Sequence, residues 1–291
     1  MGKERVVDEM TRHGVDVLLL GREGNARYVS GARRLFLAGE RAFAPGCVVV
    51  RESGEVHLLS NTDFGVPDEI PHSNLYSTSW NPATLIGRVT AIPGVKDGSR
   101  VGVDGLTPLF EGLLAASLPD ATLVDGEALM RATRRIKTPD EVELIRAAAA
   151  VAAAMMTVAL DAAGAGEADA TVKALAMERM AAHGVTTAAF EPRVHRDRDR
   201  VTVAVGVLRD GWEADLTRST PGAPNEAIAD CRAGASVADL SGEVNGVGLG
   251  YEVLAPEDVL EPGMVLSVGV DGTRDTVLVT DGPPEALTAP A

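Results

Sequence analysis

GVLRDGWEADLTR, residues 206–218, decides how the last third of this 291-residue chain is read. Val201 to Leu208 follows the strand period, Arg209-Asp210-Gly211 supplies a tight turn, and Trp212 to Thr217 returns as a second strand. Met264 to Val270 and Thr276 to Thr280 read as another pair. Two helical stretches precede them. Thr138 is placed to cap the first, Pro139 suits its first turn, and Glu141 completes a capping box. That helix runs to about Leu160, and a second spans about Glu167 to Ala182, before Gly184. Helices followed by an antiparallel sheet make an α+β domain over 137–291.

Residues 1–136 read differently. Helical patterns at Arg5 to His13, Leu85 to Ile92 and Leu109 to Ala116 alternate with strands at Val15 to Leu20, Cys47 to Val50, Val56 to Ser60, Val101 to Val103 and Ala121 to Val124. This rhythm predicts an α/β domain with a mostly parallel or mixed sheet.

A formal charge of −15 argues against a nucleic-acid binder, because phosphate contacts need a basic face. The densest charge run, Arg193 to Arg200, alternates signs and reads as a solvated loop, with a small-anion site as the sharper alternative. Cys47 and Cys231 are isolated thiols without metal spacing, which suits a reducing cytosol. The longest apolar run, Ala147 to Leu160, is too short to span a bilayer, and the N-terminus has no secretory pattern. A cytoplasmic protein, with no membrane association, is expected.

Four frames carry a resemblance: GVLRDGWEADLTR, NGVGLGYE (245–252), LEPGMVLSVG (260–269) and TRDTVLVT (273–280). In this order they resemble the pita-bread fold of creatinase, prolidase, aminopeptidase P and methionine aminopeptidase. NARYVSG (25–31), GCVVVR (46–51) and WNP (80–82) resemble the creatinase amino-terminal domain, and Arg135 to Glu141 resembles the family's linker. Against its relatives the second domain looks abbreviated. Arg218 to Asn245 is too short for the usual helix pair, and the loop before Val201 is clipped.

The resemblance implies five ligands for two metal ions: two Asp, one His and two Glu. It places them at Ala204, Asp215, Asn245, Gly269 and Arg274, so one ligand type survives. One carboxylate does not hold two dications, and Arg274 puts a fixed positive charge where a cation would sit. Hence no metal and no other cofactor is expected.

Asp215 and His195 are the candidate catalytic residues, and Asn245, Glu252, Arg274, Arg218 and Trp212 the candidate substrate contacts. Asp215 reads as a base or as a relic paired with Arg218 or Arg274, whose charge would keep it ionised. His195 is a proton shuttle or one more polar residue of a charged loop. Asn245 keeps donor and acceptor capacity in the His position, with Tyr251 and Glu252 expected along the same cleft. Asp271 is a distant replacement ligand on the strand of Gly269.

Three functions follow as expectations. The first is a metal-independent member repurposed for a hydrolase- or lyase-type reaction on, or binding of, a small molecule or short peptide. The second is a pseudoenzyme scaffold, and the third a residual Xaa-Pro peptidase. The resemblance also implies a homodimer.

Overall fold

The computed structural model describes residues 2–33 and 44–288. The chain divides into two compact units, Met1–Thr133 and Arg134–Ala291.

In the first unit, α1 (Gly2–His13) ends where Gly14 takes a left-handed φ of 63°. The strands β1 (Val17–Leu20), β2 (Cys47–Val50), β3 (Glu55–Leu59), β4 (Leu75–Tyr76), β5 (Arg100–Val103) and β6 (Thr122–Asp125) form a mixed sheet of order β4-β3-β2-β1-β5-β6. Its centre, β1, pairs antiparallel with β2 and parallel with β5. Between β4 and β6 the chain makes α3 (Pro82–Thr90) and α4 (Pro108–Ser117), capped by Asn81 and Thr107. Val17, Leu19, Val48, Val50, Leu85, Ile86, Val89 and Leu114 form their shared core. Two helices were not foreseen. These are α2 (Glu23–Ser30), whose first turn has no side-chain cap, and α5 (Gly126–Arg135).

The second unit opens with α6 (Pro139–Gly164) and α7 (Asp169–Ala182). The expected capping box is formed: Glu141 N–H donates to Thr138 Oγ1 at 3.3 Å, and Thr138 N–H to Glu141 Oε2 at 2.9 Å. At 26 residues α6 outruns its apolar stretch and is, by length and composition, long enough to cross a membrane. It packs here against α7 and the sheet.

That sheet contains β7 (Ala188–Asp197), β8 (Arg200–Arg209), β9 (Trp212–Thr220), β10 (Glu243–Gly248), β11 (Gly250–Glu252), β12 (Val265–Val270) and β13 (Thr273–Leu278), ordered β11-β10-β12-β13-β9-β8-β7, with β14 (Glu285–Ala286) beside β13. Val203, Val205, Val207, Ala214 and Leu216 form a buried apolar face. Burying each large aliphatic stabilises by roughly 1.5–3 kcal/mol. Leu266, Val268 and Val277 extend the core under Ala227 and Cys231. Between β9 and β10 there are only two short 3₁₀ turns, Glu226–Asp230 and Val237–Asp239, where the sequence left no room for a helix pair.

Two readings are corrected. Arg193 to Asp197 is the end of edge strand β7, with the turn at Arg198 (φ 47°), and not a loop. The two-residue spacing of Arg193, His195 and Asp197 is itself a strand signal, and pairing with β8 satisfies the backbone. Asp271 does not extend the strand of Gly269. With Gly272 it forms the positive-φ turn between β12 and β13, as Asp210-Gly211 does between β8 and β9.

Candidate functional site

Residues paired across strands share a sheet face, and every second residue along a strand returns to it. Register therefore decides which side chains meet. One row runs Asn245, Ser267, Thr276 across β10, β12 and β13. It continues to Asp215, whose N–H donates to Thr276 Oγ1 at 3.0 Å, and to its partner Gly206. The adjacent row runs Glu243, Gly269, Arg274, Thr217, Ala204, Arg193. Ala204, Asp215, Asn245, Gly269 and Arg274 thus lie on one face, opposite the Val203–Val205–Val207 side. The two-residue turn after β12 is what sets Gly269 directly against Arg274.

Asp215 is 6% exposed. Ser267 Oγ donates to its Oδ2 at 2.7 Å, and Thr276 Oγ1 lies 3.4 Å from its Oδ1. Arg274 does not touch it. The guanidinium donates through Nη1 to Ser267 Oγ at 3.0 Å and to Asn245 Oδ1 at 3.4 Å, and through Nη2 to Glu243 at 2.7 Å. Ser267 therefore stands between the acid and the cation. Burial pushes the Asp215 carboxyl above its usual range, against the lowering effects of the Ser267 bond, the Arg274 charge and the Thr276 bond. The expected pairing with an arginine is corrected: Ser267 stands between Asp215 and Arg274, and burial raises the carboxyl more than that set-back cation lowers it.

The chain fills the rest of this face itself. A side chain at Gly269 would meet Arg274 Nε at 2.9 Å, so the arginine stem lies over that glycine. One at Gly206 would meet the Phe190 ring at 2.5 Å. The Arg193 guanidinium stacks 4.8 Å from the centre of that ring. His195, paired with Thr202, sits on the same face but exposed on the edge strand.

Glu213 was missed. It lies two residues from Asp215 on the same strand, hence on the same face, and the spacing in WEAD was the available signal. Burial first, then the Asp215 charge, pushes its carboxyl up to about 7. Near neutrality it can take or give a proton.

Residues 3–136 match the Creatinase/Prolidase N-terminal domain family. The first half of the chain is a creatinase/prolidase amino-terminal domain. The whole chain shares its fold with prolidase from Pyrococcus horikoshii OT3, at 18% identity and a TM-score of 0.74 over 99% of this chain and 98% of that one. X-Pro aminopeptidase from Thermotoga maritima MSB8 is similar at 14% identity and 0.74, over 99% and 98%. So is the N-terminal domain of the FACT complex subunit SPT16 from Cicer arietinum, at 13% and 0.66, over 99% and 95%. No curated protein matches the sequence. The second unit is accordingly a pita-bread domain, in a chain short enough to be abbreviated.

Within this creatinase/prolidase fold the other candidates fall elsewhere. Arg218 is on the opposite face, donating through Nη2 and Nη1 to Asp275 at 2.6 and 3.2 Å. Trp212, of the same parity along β9, shares that face and is 9% exposed. Glu252 pairs with Gly246, not with the row of Asn245, and accepts from Arg135 at 3.2 Å. Tyr251, one residue earlier, does return to the Asn245 side, where it is 66% exposed. The expectation that Arg218, Trp212 and Glu252 share one cleft with Asp215 is corrected by this alternation.

The donor set does not fit two metal ions. The five positions offer one carboxylate, a neutral amide, two residues without donors and a guanidinium. Among the described residues, no three His, Cys, Asp or Glu side chains come together as ligands.

Proposed function

We propose that this protein is a metal-independent creatinase/prolidase homologue whose inner sheet face takes a small ligand through its carboxylate, in place of a dinuclear peptidase centre. The observation that carries the reading is Arg274. It lies over Gly269, is braced by Ser267 and Asn245, and is 19% exposed, while its one carboxylate partner among the described residues, Glu243, is 89% exposed. An incoming carboxylate replaces Glu243 on the guanidinium fork and returns that side chain to water, an exchange that strands no buried charge. Glu213 and Asp215 lie beside this position as proton-handling groups for hydrolase- or lyase-type chemistry.

A second reading, a scaffold without catalysis, has its own support. Asp215, Ser267 and Thr276 are all but inaccessible, and Phe190 occupies the space above Gly206. The fold also serves in a protein named as a subunit of a complex. A homodimer remains part of the proposal, to be checked by light scattering at micromolar concentration.

Titration of the full chain with acetate, followed by the amide signals of β12 and β13, tests the first reading. Saturable shifts that vanish in Arg274→Ala support it. No shift in the folded wild type favours the scaffold. Hydrolysis of Xaa-Pro dipeptides in the presence of Mn²⁺ or Co²⁺ would overturn both and restore the peptidase.

A further inference from the structure

We propose that the ligand is a monocarboxylate whose short arm ends in a ring, a 3-arylpropionate in kind, with its carboxylate on Arg274 and its ring on Tyr251. This rests on the reading above and names the chemical class that the same face selects. The Arg274 guanidinium leans over Gly269 toward β10, where Asn245 accepts from Nη1 at 3.4 Å and Glu243 from Nη2 at 2.7 Å. A carboxylate that replaces Glu243 therefore lies over β10, and the next strand outward is β11. There Tyr251 stands opposite Val247, two residues along β10 from Asn245. Tyr251 and Asn245 are thus diagonal neighbours on one face, roughly 7–8 Å apart, a distance within reach of an aromatic side chain.

Tyr251 is built as an anchor. Of the three tyrosines in the chain, Tyr28 is 5% exposed and Tyr76 packs against the core of the first unit, whereas Tyr251 is 66% exposed. Its backbone is nevertheless fixed. Arg134 donates to the Leu249 carbonyl at 2.8 Å, Trp212 bridges Leu249, and Arg135 donates to Glu252 at 3.2 Å, so the chain is pinned on both sides of the ring. All of these groups belong to the second unit. An aromatic ring on a fixed backbone offers apolar area to a ligand at a small cost in ordering. At the other end Glu243 is 89% exposed, so it leaves the guanidinium without stranding a buried charge and acts as an internal competitor. One cation and one ring fit one anionic group and one apolar end. A ring joined directly to the carboxylate would stop over Asn245, and a short spacer carries it across to Tyr251.

The test is calorimetric titration of the full chain with acetate, benzoate and 3-phenylpropionate, on the wild type and on Tyr251→Ala, Tyr251→Phe and Arg274→Lys, each first checked by thermal melting. Wild type is expected to bind 3-phenylpropionate about ten-fold or more tighter than acetate, as burial of a ring against a ring implies, with benzoate between them. Tyr251→Ala should bring 3-phenylpropionate down to the acetate level, and Tyr251→Phe should keep the preference, since the ring and not the hydroxyl makes the contact. Arg274→Lys should weaken all three acids, because an ammonium lacks the planar fork. If the preference for 3-phenylpropionate survives Tyr251→Ala, or benzoate binds as tightly, the Tyr251 contact is overturned while the Arg274 reading stands. If no acid binds the folded wild type, both fall together.

Discussion

Asp275 and Asp215 lie on neighbouring strands and face opposite sides of the same sheet, and the two sides have been treated differently. On the outer side Asp275 is 1% exposed and fully engaged. It takes both nitrogens of Arg218, the Asn225 amide at 3.1 Å and the Thr288 hydroxyl at 2.8 Å. Arg218 also reaches the Arg274 carbonyl at 2.9 Å, and Thr288 accepts from Thr276 N–H at 3.1 Å, so the cluster ties the Asn225 and Thr288 segments to the sheet. On the inner side Asp215 is held by hydroxyls, and its cation stands off behind Ser267. The difference separates an acid that knits strands together from one held only by hydroxyls, and the two should contribute unequally to folding.

The largest expected effect breaks the outer side. Asp275→Ala should cost about 3–5 kcal/mol in urea unfolding, because it leaves Arg218 partly buried without its counter-charge. A loss under about 1 kcal/mol would mean the cluster is ornamental and the contrast false. Next comes the inner packing. Gly269→Val should cost about 1–3 kcal/mol through its clash with the Arg274 guanidinium and the Thr273 carbonyl, and the arginine's share should be recovered in the double variant with Arg274→Ala. Additive costs would place Arg274 away from Gly269.

A smaller effect concerns pH. The Glu213 carboxyl is raised to about 7 from 4.5, so the folded state holds its proton more tightly than the unfolded chain. Its contribution is complete below the unfolded value and is lost as pH rises through 7, on the order of 1–2 kcal/mol for a partly exposed group. Chemical unfolding at pH 5 and pH 8 should show this decline in wild type and a flatter profile in Glu213→Gln. Equal slopes would place Glu213 in water. The smallest effect is Asp215→Asn, expected within about 1 kcal/mol of wild type, since the amide oxygen still accepts from Ser267. A penalty as large as that of Asp275→Ala would erase the distinction between the two faces.

Much of the architecture was legible because it rests on local rules. The Asp210-Gly211 turn, the capping box at Thr138 and the alternation in GVLRDGWEADLTR each carry a physical signature in sequence. Both helices missed in the first unit lacked one: α2 begins at Arg22 without a capping side chain, and α5 follows directly on β6 at Gly126. Frame positions could be placed in sequence, but not who touches whom. Whether Arg218 or Arg274 meets Asp215 depends on strand parity, and Arg218 differs from Asp215 by an odd step. The strand character of Arg193 to Asp197 was hidden by its charges, which suggested solvent while their spacing suggested pairing. Burial of Asp215 depends on Ser267 and Thr276, which β12 and β13 bring against it by a pairing that no local pattern encodes.

Elemental analysis of protein purified gently from metal-supplemented medium tests the central claim most directly, with Asp215→Ala measured in parallel. Wild type should carry no stoichiometric Zn, Mn, Co or Fe, and the variant should be indistinguishable from it. Two equivalents of metal per chain, lost in Asp215→Ala, would contradict the account and return the inner face to a dinuclear centre.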